Sequence, residues 1–146
     1  MQVDERFVVA APRAEVFRLW SAFDAFPRFM TGVESVFAET AVRLRWRVSV
    51  AGVEPSFYAV ITEHVPDERI AWQSVDQSTM GWWVELADAG QGSTAVTVRV
   101  IWSPRGDDRA PAGAPELDEL TIRCDLQRFR ALAEARAAAA VPAEAA

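Results

Sequence analysis

The chain has 146 residues, 51% of them hydrophobic and 25% charged, with a net charge of −6. That length suits one domain able to bury about 68–70% of its unfolded surface, so a core can form without staples. The composition excludes a disordered or fibrous chain, and the negative balance argues against non-specific attachment to nucleic acid or anionic lipid.

The first predicted element is a strand over Val3 to Ala10, ending in Phe7-Val8-Val9-Ala10. Pro12 suits the first turn of a helix, where its missing N–H is no loss, and Glu15 favours the same positive end. Val16, Phe17, Trp20 and Phe23 then recur at helical spacing and form one apolar stripe. Asp24 is placed to cap a second, short helix over Ala25 to Met30, with Gly32 placed to end it and Pro27 awkward inside it.

From Val33 to Trp102 the period becomes two. Over Ala41 to Val50, Leu44, Trp46, Val48 and Val50 alternate with Arg43, Arg45, Arg47 and Ser49, one side for a core and the other for water. Gly52 and Pro55 interrupt the run. Ser56 to Val65 is the next strand, and both its sides carry apolar groups: Phe57, Ala59 and Ile61 on one, Tyr58 and Val60 on the other. Pro66-Asp67-Glu68 marks a turn. Three further strands, Ile70 to Val75, Met80 to Leu86 and Thr94 to Trp102, follow with short connections, which implies antiparallel hairpins.

Ser103 to Ala114 reads as a loop. Pro115 then opens the longest helix, to about Ala139, with Leu117, Leu120, Ile122, Cys124, Leu126, Phe129 and Ala133 as its apolar stripe. The pattern predicts an α+β domain over 1–139, with helices on one face of an antiparallel sheet, and an Ala-rich, disordered tail over 140–146.

The residue inventory removes several chemistries. Lys and Asn do not occur, which excludes a Schiff-base lysine, a P-loop lysine and an N-glycosylation acceptor. One Cys and one His are too few for zinc or iron–sulfur ligation, so no metal and no cofactor is expected. There is no Gly-x-Ser-x-Gly elbow, and Cys124, mid-helix on the stripe, is expected to be a small buried hydrophobe. Gly90-Gln91-Gly92 is a hairpin turn and not a dinucleotide loop, since no helix follows it. Met1 to Arg6 has no signal-peptide character, and no apolar run approaches the ~18 residues of a membrane span, so a cytoplasmic protein is expected.

Several blocks carry a resemblance. Ala11-Pro12-Arg13-Ala14-Glu15-Val16-Phe17-Arg18-Leu19-Trp20, Phe26 to Val36, Ile61 to Trp72 with Pro66-Asp67-Glu68-Arg69-Ile70, and Asp125-Leu126-Gln127-Arg128-Phe129 together resemble the START-like (SRPBCC) superfamily, in its polyketide cyclase/dehydrase branch. The resemblance runs from about Val3 to Arg136. It implies the helix-grip fold: about seven antiparallel strands curved around the C-terminal helix, two short helices after the first strand, and an apolar cavity between sheet and helix. Members include aromatic polyketide cyclases and coenzyme Q-binding proteins, so membership does not fix the function.

A cyclase must hold a flexible chain bent, remove a proton from an activated methylene, and stabilise the resulting oxyanion. His64 is the one side chain that is a base near neutrality without help. The resemblance implies that an Arg commonly fills this position and points inward in aromatic polyketide cyclases, so His64 gains proton exchange and loses a fixed charge. The plainer reading is an exposed histidine at a strand end. Glu63 and His64 must face opposite ways in a regular strand, and only a bulge would change that. Tyr58 is a possible hydrogen-bond donor beside whichever of the two acts.

Trp20, Phe26, Phe29, Trp46, Tyr58, Trp72, Trp82 and Phe129 are the candidate ligand-lining residues, with core packing as the plainer reading. Trp82 and Trp83 must face opposite sides, the outward one marking a rim or a dimer contact. Arg43, Arg45 and Arg47 offer either a solvated face or a site for an acidic acyl-carrier protein. The leading expectation is a binding protein for an apolar, aromatic polyketide-like or isoprenoid molecule. A cyclase/dehydrase is the alternative and a protein-interaction module the third, with no nucleic-acid partner and either a monomer or a homodimer.

Overall fold

The computed structural model describes residues 2–48, 56–75, 80–102 and 119–140. Among them, seven strands form one antiparallel sheet: β1 (Gln2–Val9), β2 (Val33–Ala38), β3 (Arg43–Val48), β4 (Ser56–Val65), β5 (Arg69–Ser74), β6 (Met80–Asp88) and β7 (Thr94–Trp102). Their spatial order is β1-β7-β6-β5-β4-β3-β2, so six consecutive strands form a meander and β1 closes against β7. Helix α1 (Arg13–Ser21) and a 3₁₀ segment (Phe23–Arg28) join β1 to β2, and helix α2 (Glu119–Ala140) ends the described chain. This is the expected helix-grip arrangement of about seven strands and a long C-terminal helix.

The strand pattern follows from alternate burial. Val3 and Val9 of β1, Val96, Val98 and Val100 of β7, and Trp82, Val84 and Leu86 of β6 are all buried, with exposed or partly exposed residues between them. The buried side faces α2: Phe7 meets Phe129 edge-on at 6.4 Å, and Glu5 accepts a hydrogen bond from Arg123. The other side is the outer face, where Arg99 pairs with Asp4 at 2.9 Å.

Helix α2 buries Ile122, Leu126, Phe129, Ala133 and Ala137, a spacing of four, three, four and four that makes a single stripe. Cys124 corrects the expectation of a buried hydrophobe, because its side chain is exposed. Two residues from Ile122 is about 200° around the helix, and Leu120, also counted in the stripe, is exposed for the same reason. Leu117 and the expected opening at Pro115 lie outside the described residues, as do the end of the predicted Ala41–Val50 strand at Ser49 and Val50, the break at Gly52 and Pro55, the loop from Ser103 and the tail from Val141.

Polar ties fix the helices to the sheet. The buried Asp125 carboxylate accepts from the Thr31 N–H at 3.0 Å and the Thr31 hydroxyl at 2.6 Å. Glu134 accepts from the Ala10 N–H at 2.8 Å, where β1 passes into α1. Arg13 reaches Asp88 at 3.0 Å and the Asp67 carbonyl at 3.4 Å, holding the start of α1 against two hairpin turns. Asp24 makes no side-chain cap for the 3₁₀ segment, which starts at Phe23, before the expected helix. Asp67 has φ of 64° in a turn closed by Glu68 N–H to Val65 O at 3.0 Å. Pro before a left-handed residue is the type II pattern, and Asp tolerates that conformation.

Candidate functional site

The inner face of the sheet and the two helices enclose an aromatic cluster. Trp20 of α1 is fully buried and stacks on Phe129 of α2, ring centroids 4.1 Å apart. Trp72 of β5 stacks on its cross-strand partner Trp82 of β6 at 5.7 Å and 10°, and lies 6.4 Å from Trp20. Trp46 of β3 is 6.3 Å from Trp72. Phe26 of the 3₁₀ segment meets both, at 5.6 Å and 5.5 Å. Phe29 closes the group against Phe129 at 5.2 Å. All the candidate lining residues but one therefore come together, drawn from both helices, three strands, the 3₁₀ segment and the turn after it.

Tyr58 is the exception and a correction. It lies on the outer face, half-buried, with the Arg43 guanidinium 4.3 Å above its ring. Its register neighbour is Arg45, so Arg43, Arg45 and Arg47 share that face. Tyr58 therefore neither lines the interior nor donates a hydrogen bond there. Phe23, predicted in the α1 stripe but not as a site residue, is half-buried and edge-on to Trp72 at 6.2 Å.

The cluster also holds unmatched donors. The indole N–H groups of Trp20 and Trp72 are buried and find no hydrogen-bond partner among the described residues, and both side chains are 0% exposed. A buried donor left unmatched costs about 1–3 kcal/mol. Folding tolerates that cost here in the most densely aromatic part of the described structure.

The orientation of β4 depends on one residue. Ile61 pairs with Trp72, Glu63 with Ala71 and His64 with Ile70, so Thr62 is an extra residue, a β-bulge. Before the bulge Ala59 and Ile61 face inward with Trp72; after it His64 does, opposite the buried Ile70. Glu63 takes the outer face, in one row with Ala71, Trp83, Arg99 and Asp4. Glu63 is thus removed from the interior. His64 shares the inner face with Ala59 and Ile61, a combination that regular alternation forbids.

His64 sits at the rim. Its side chain is exposed and meets the buried Phe17 edge-on at 5.5 Å. Phe17 lies one turn after Arg13, whose contacts with the Asp67 and Asp88 turns bring this part of α1 to the end of β4. Trp20 follows Phe17 by three residues on the same helical face. Asp125 had no expected role, although it opens the last of the family-like blocks; its signal was a carboxylate beside the buried stripe of α2. Among the described residues no three His, Cys, Asp or Glu side chains gather into a metal-binding group, and no helix is long and apolar enough to cross a membrane.

Residues 9–119 match the family model described as polyketide cyclase / dehydrase and lipid transport. The chain belongs to that family. An uncharacterized 17.2 kDa protein of Streptomyces lincolnensis is 30% identical over 136 residues, covering 92% of this chain and 91% of its own. A START superfamily protein from Mycobacterium smegmatis superposes with a TM-score of 0.71 at 15% identity, over 94% of this chain and 97% of its own. The Zhui aromatase/cyclase from a Streptomyces species superposes with a TM-score of 0.64 at 19% identity, over 99% and 97%. At those identities the two structures establish the shared fold. The family description covers both cyclisation and the carriage of hydrophobic molecules, and it supports a role of one of these two kinds.

Proposed function

We propose that the chain binds a flat, apolar small molecule, polyketide-like or isoprenoid, among the rings between α2 and the sheet. The observation that carries this is the convergence of Trp20, Trp46, Trp72, Trp82, Phe26 and Phe129 in one cluster. Stacked and edge-on rings attract through dispersion and the ring quadrupole, each pair worth about 0.5–1.5 kcal/mol beyond burial. A conjugated ligand ring offers the same kind of surface as a side-chain ring, and so can make the stacked and edge-on contacts that a displaced ring gives up. Half-buried Phe23, against Trp72, is the ring nearest to such an exchange with solvent.

The test is thermal unfolding of the purified protein against aromatic polyketides, flavonoids, quinones and fatty acids. A ligand at one hundred times its dissociation constant adds about 2.7 kcal/mol. That is a rise of several degrees for a domain of this size. A rise with planar compounds supports the reading. No rise with any class defeats it.

A second reading, cyclisation with His64 as the base, is favoured by the Thr62 bulge, which brings the chain's one imidazole to the face shared with the aromatic cluster. In it the neutral imidazole accepts the proton of an activated methylene held against Phe17, and the rings keep the rest of the chain bent. His64→Ala would then abolish turnover while ligand affinity stays within about threefold. Equal turnover by variant and wild type removes His64 from any mechanism.

A further inference from the structure

The two unmatched indole donors say more about the ligand than the rings do. Trp20 and Trp72 come from different elements, α1 and β5, yet their rings lie 6.4 Å apart and both are shut from water. An indole N–H is a donor only, so neither is satisfied by turning over. Had the interior served packing alone, Phe at both positions would supply an aromatic face with no donor to satisfy. We infer that Trp20 and Trp72 are specificity-determining donors for a ligand oxygen, and that the ligand is a conjugated ring compound carrying carbonyl or similar acceptor oxygens, not a hydrocarbon or a simple acyl chain. A carbonyl oxygen has two lone pairs, enough for both indole donors, and two neighbouring oxygens on one ligand would serve equally.

The inference rests on the interior-binding reading and sharpens it. The same chemistry is offered by tail-less polycyclic ketones and by isoprenoid quinones. Both place a carbonyl at the edge of a flat ring, where the indole donors lie among stacked faces. His64 stands at the rim, paired with Ile70 two residues along β5 from Trp72, and takes no part in the donor role assigned to the two indoles.

The test uses a matched pair, fluorenone and fluorene, which share a ring skeleton and differ by one carbonyl. Affinities are read by titration calorimetry and by quenching of tryptophan fluorescence. Two matched hydrogen bonds predict that fluorenone binds the wild type roughly ten- to a hundredfold more tightly than fluorene. Trp20→Phe and Trp72→Phe should each reduce the ratio of fluorenone to fluorene affinity several-fold, whatever either change does to fluorene itself. An independent reading needs no variant. In nitrogen-15 spectra of the wild type, fluorenone should move two of the six indole N–H signals downfield, and fluorene should move neither in that sense.

Equal binding of the two compounds, with no downfield indole shift, overturns the donor role and leaves the interior-binding reading intact. Failure of both to bind at their solubility limits overturns the two together. A tetrasubstituted benzoquinone with and without two isoprene units separates the sources. A strong preference for the prenylated form, still dependent on the two Trp, supports the donor role with an isoprenoid quinone. No preference, with the same dependence, supports it with a tail-less ketone. Loss of the Trp dependence in either case overturns it.

Discussion

Replacing Asp125 by Ala tests how α2 is held over the aromatic cluster. The carboxylate is buried and accepts from the Thr31 N–H at 3.0 Å and the Thr31 hydroxyl at 2.6 Å. Arg128 lies 3.5 Å away as an ion-pair partner and itself donates to the Thr31 hydroxyl at 2.9 Å. Hydrogen bonds to a charged acceptor contribute about 1.5–3 kcal/mol each. Thr31 is exposed, so water replaces part of what is lost, and the variant is relieved of desolvating a carboxylate. The net expectation is a loss of about 2–3 kcal/mol. At about 3–4 °C per kcal/mol for this chain length, the melting temperature should fall by about 6–12 °C. Asp125→Asn keeps one acceptor and should lose part of that, less than Asp125→Ala. Calorimetric melting of wild type and both variants supplies the numbers. A melting temperature for Asp125→Ala within a degree of wild type would show that packing alone seats the helix.

The remaining predictions concern the core, the outer face and the bulge. Phe129→Ala removes a fully buried ring that touches Trp20, Phe29 and Phe7, and urea unfolding should show a loss of about 3–5 kcal/mol. Asp4 is held below its ordinary carboxylate pKa, first by the hydrogen bond from Arg99 and then by that from Gln2. Its folded-state value is the lower one, so its stabilisation is complete above the ordinary value near 3.8 and is lost as pH falls through the folded one. Asp4→Asn should therefore flatten the acid limb of a melting-temperature profile below about pH 4, and an unchanged limb would dismiss the pair. Deleting Thr62 leaves every β4–β5 pairing in place, so the variant should fold with a melting temperature within a few degrees of wild type. His64 should stay against Phe17, as its imidazole proton shifts would report; a histidine that moves away would refute the register.

What the sequence discloses and what it hides divide along physical lines. The strand over Thr94 to Trp102 and the turn at Pro66-Asp67-Glu68 are local, set by alternation and by residues with fixed backbone preferences, and both stand in the structure. The aromatic residues that meet are also legible, because large rings on apolar stripes have nowhere else to go. The faces of β4 are not legible. Its bulge is a mismatch between two strands, and Thr62 carries no residue signature that announces it. Regular alternation would place Glu63 with Ile61 inside; one unpaired residue reverses that and moves His64 to the inner face. Cys124 and Leu120 differ from expectation for another reason. Counting apolar residues along α2 overstates a stripe that Ile122, Leu126, Phe129, Ala133 and Ala137 already fill.

The placement of polar ties bears on how such a core could exchange a ring for a ligand. Asp125 fixes α2 to the turn before β2, and Glu134, about 14 Å further along the helix axis at 1.5 Å per residue, fixes it where β1 enters α1. Between them Leu126, Phe129 and Ala133 meet the interior through apolar surface. Directional bonds set the distance between helix and sheet at both stations, and they penalise lifting the helix as a whole. Ring contacts are individually weaker than those charge-assisted bonds, and Phe23 is only half-buried, so rearrangement is cheaper among Phe23, Phe26 and Phe29 than in α2. A ligand that displaces rings should therefore leave amide exchange protection in α2 unchanged or raised while altering it over residues 23–30. Ligand-induced deprotection of α2 would show that the helix, and not the 3₁₀ segment, is the moving part.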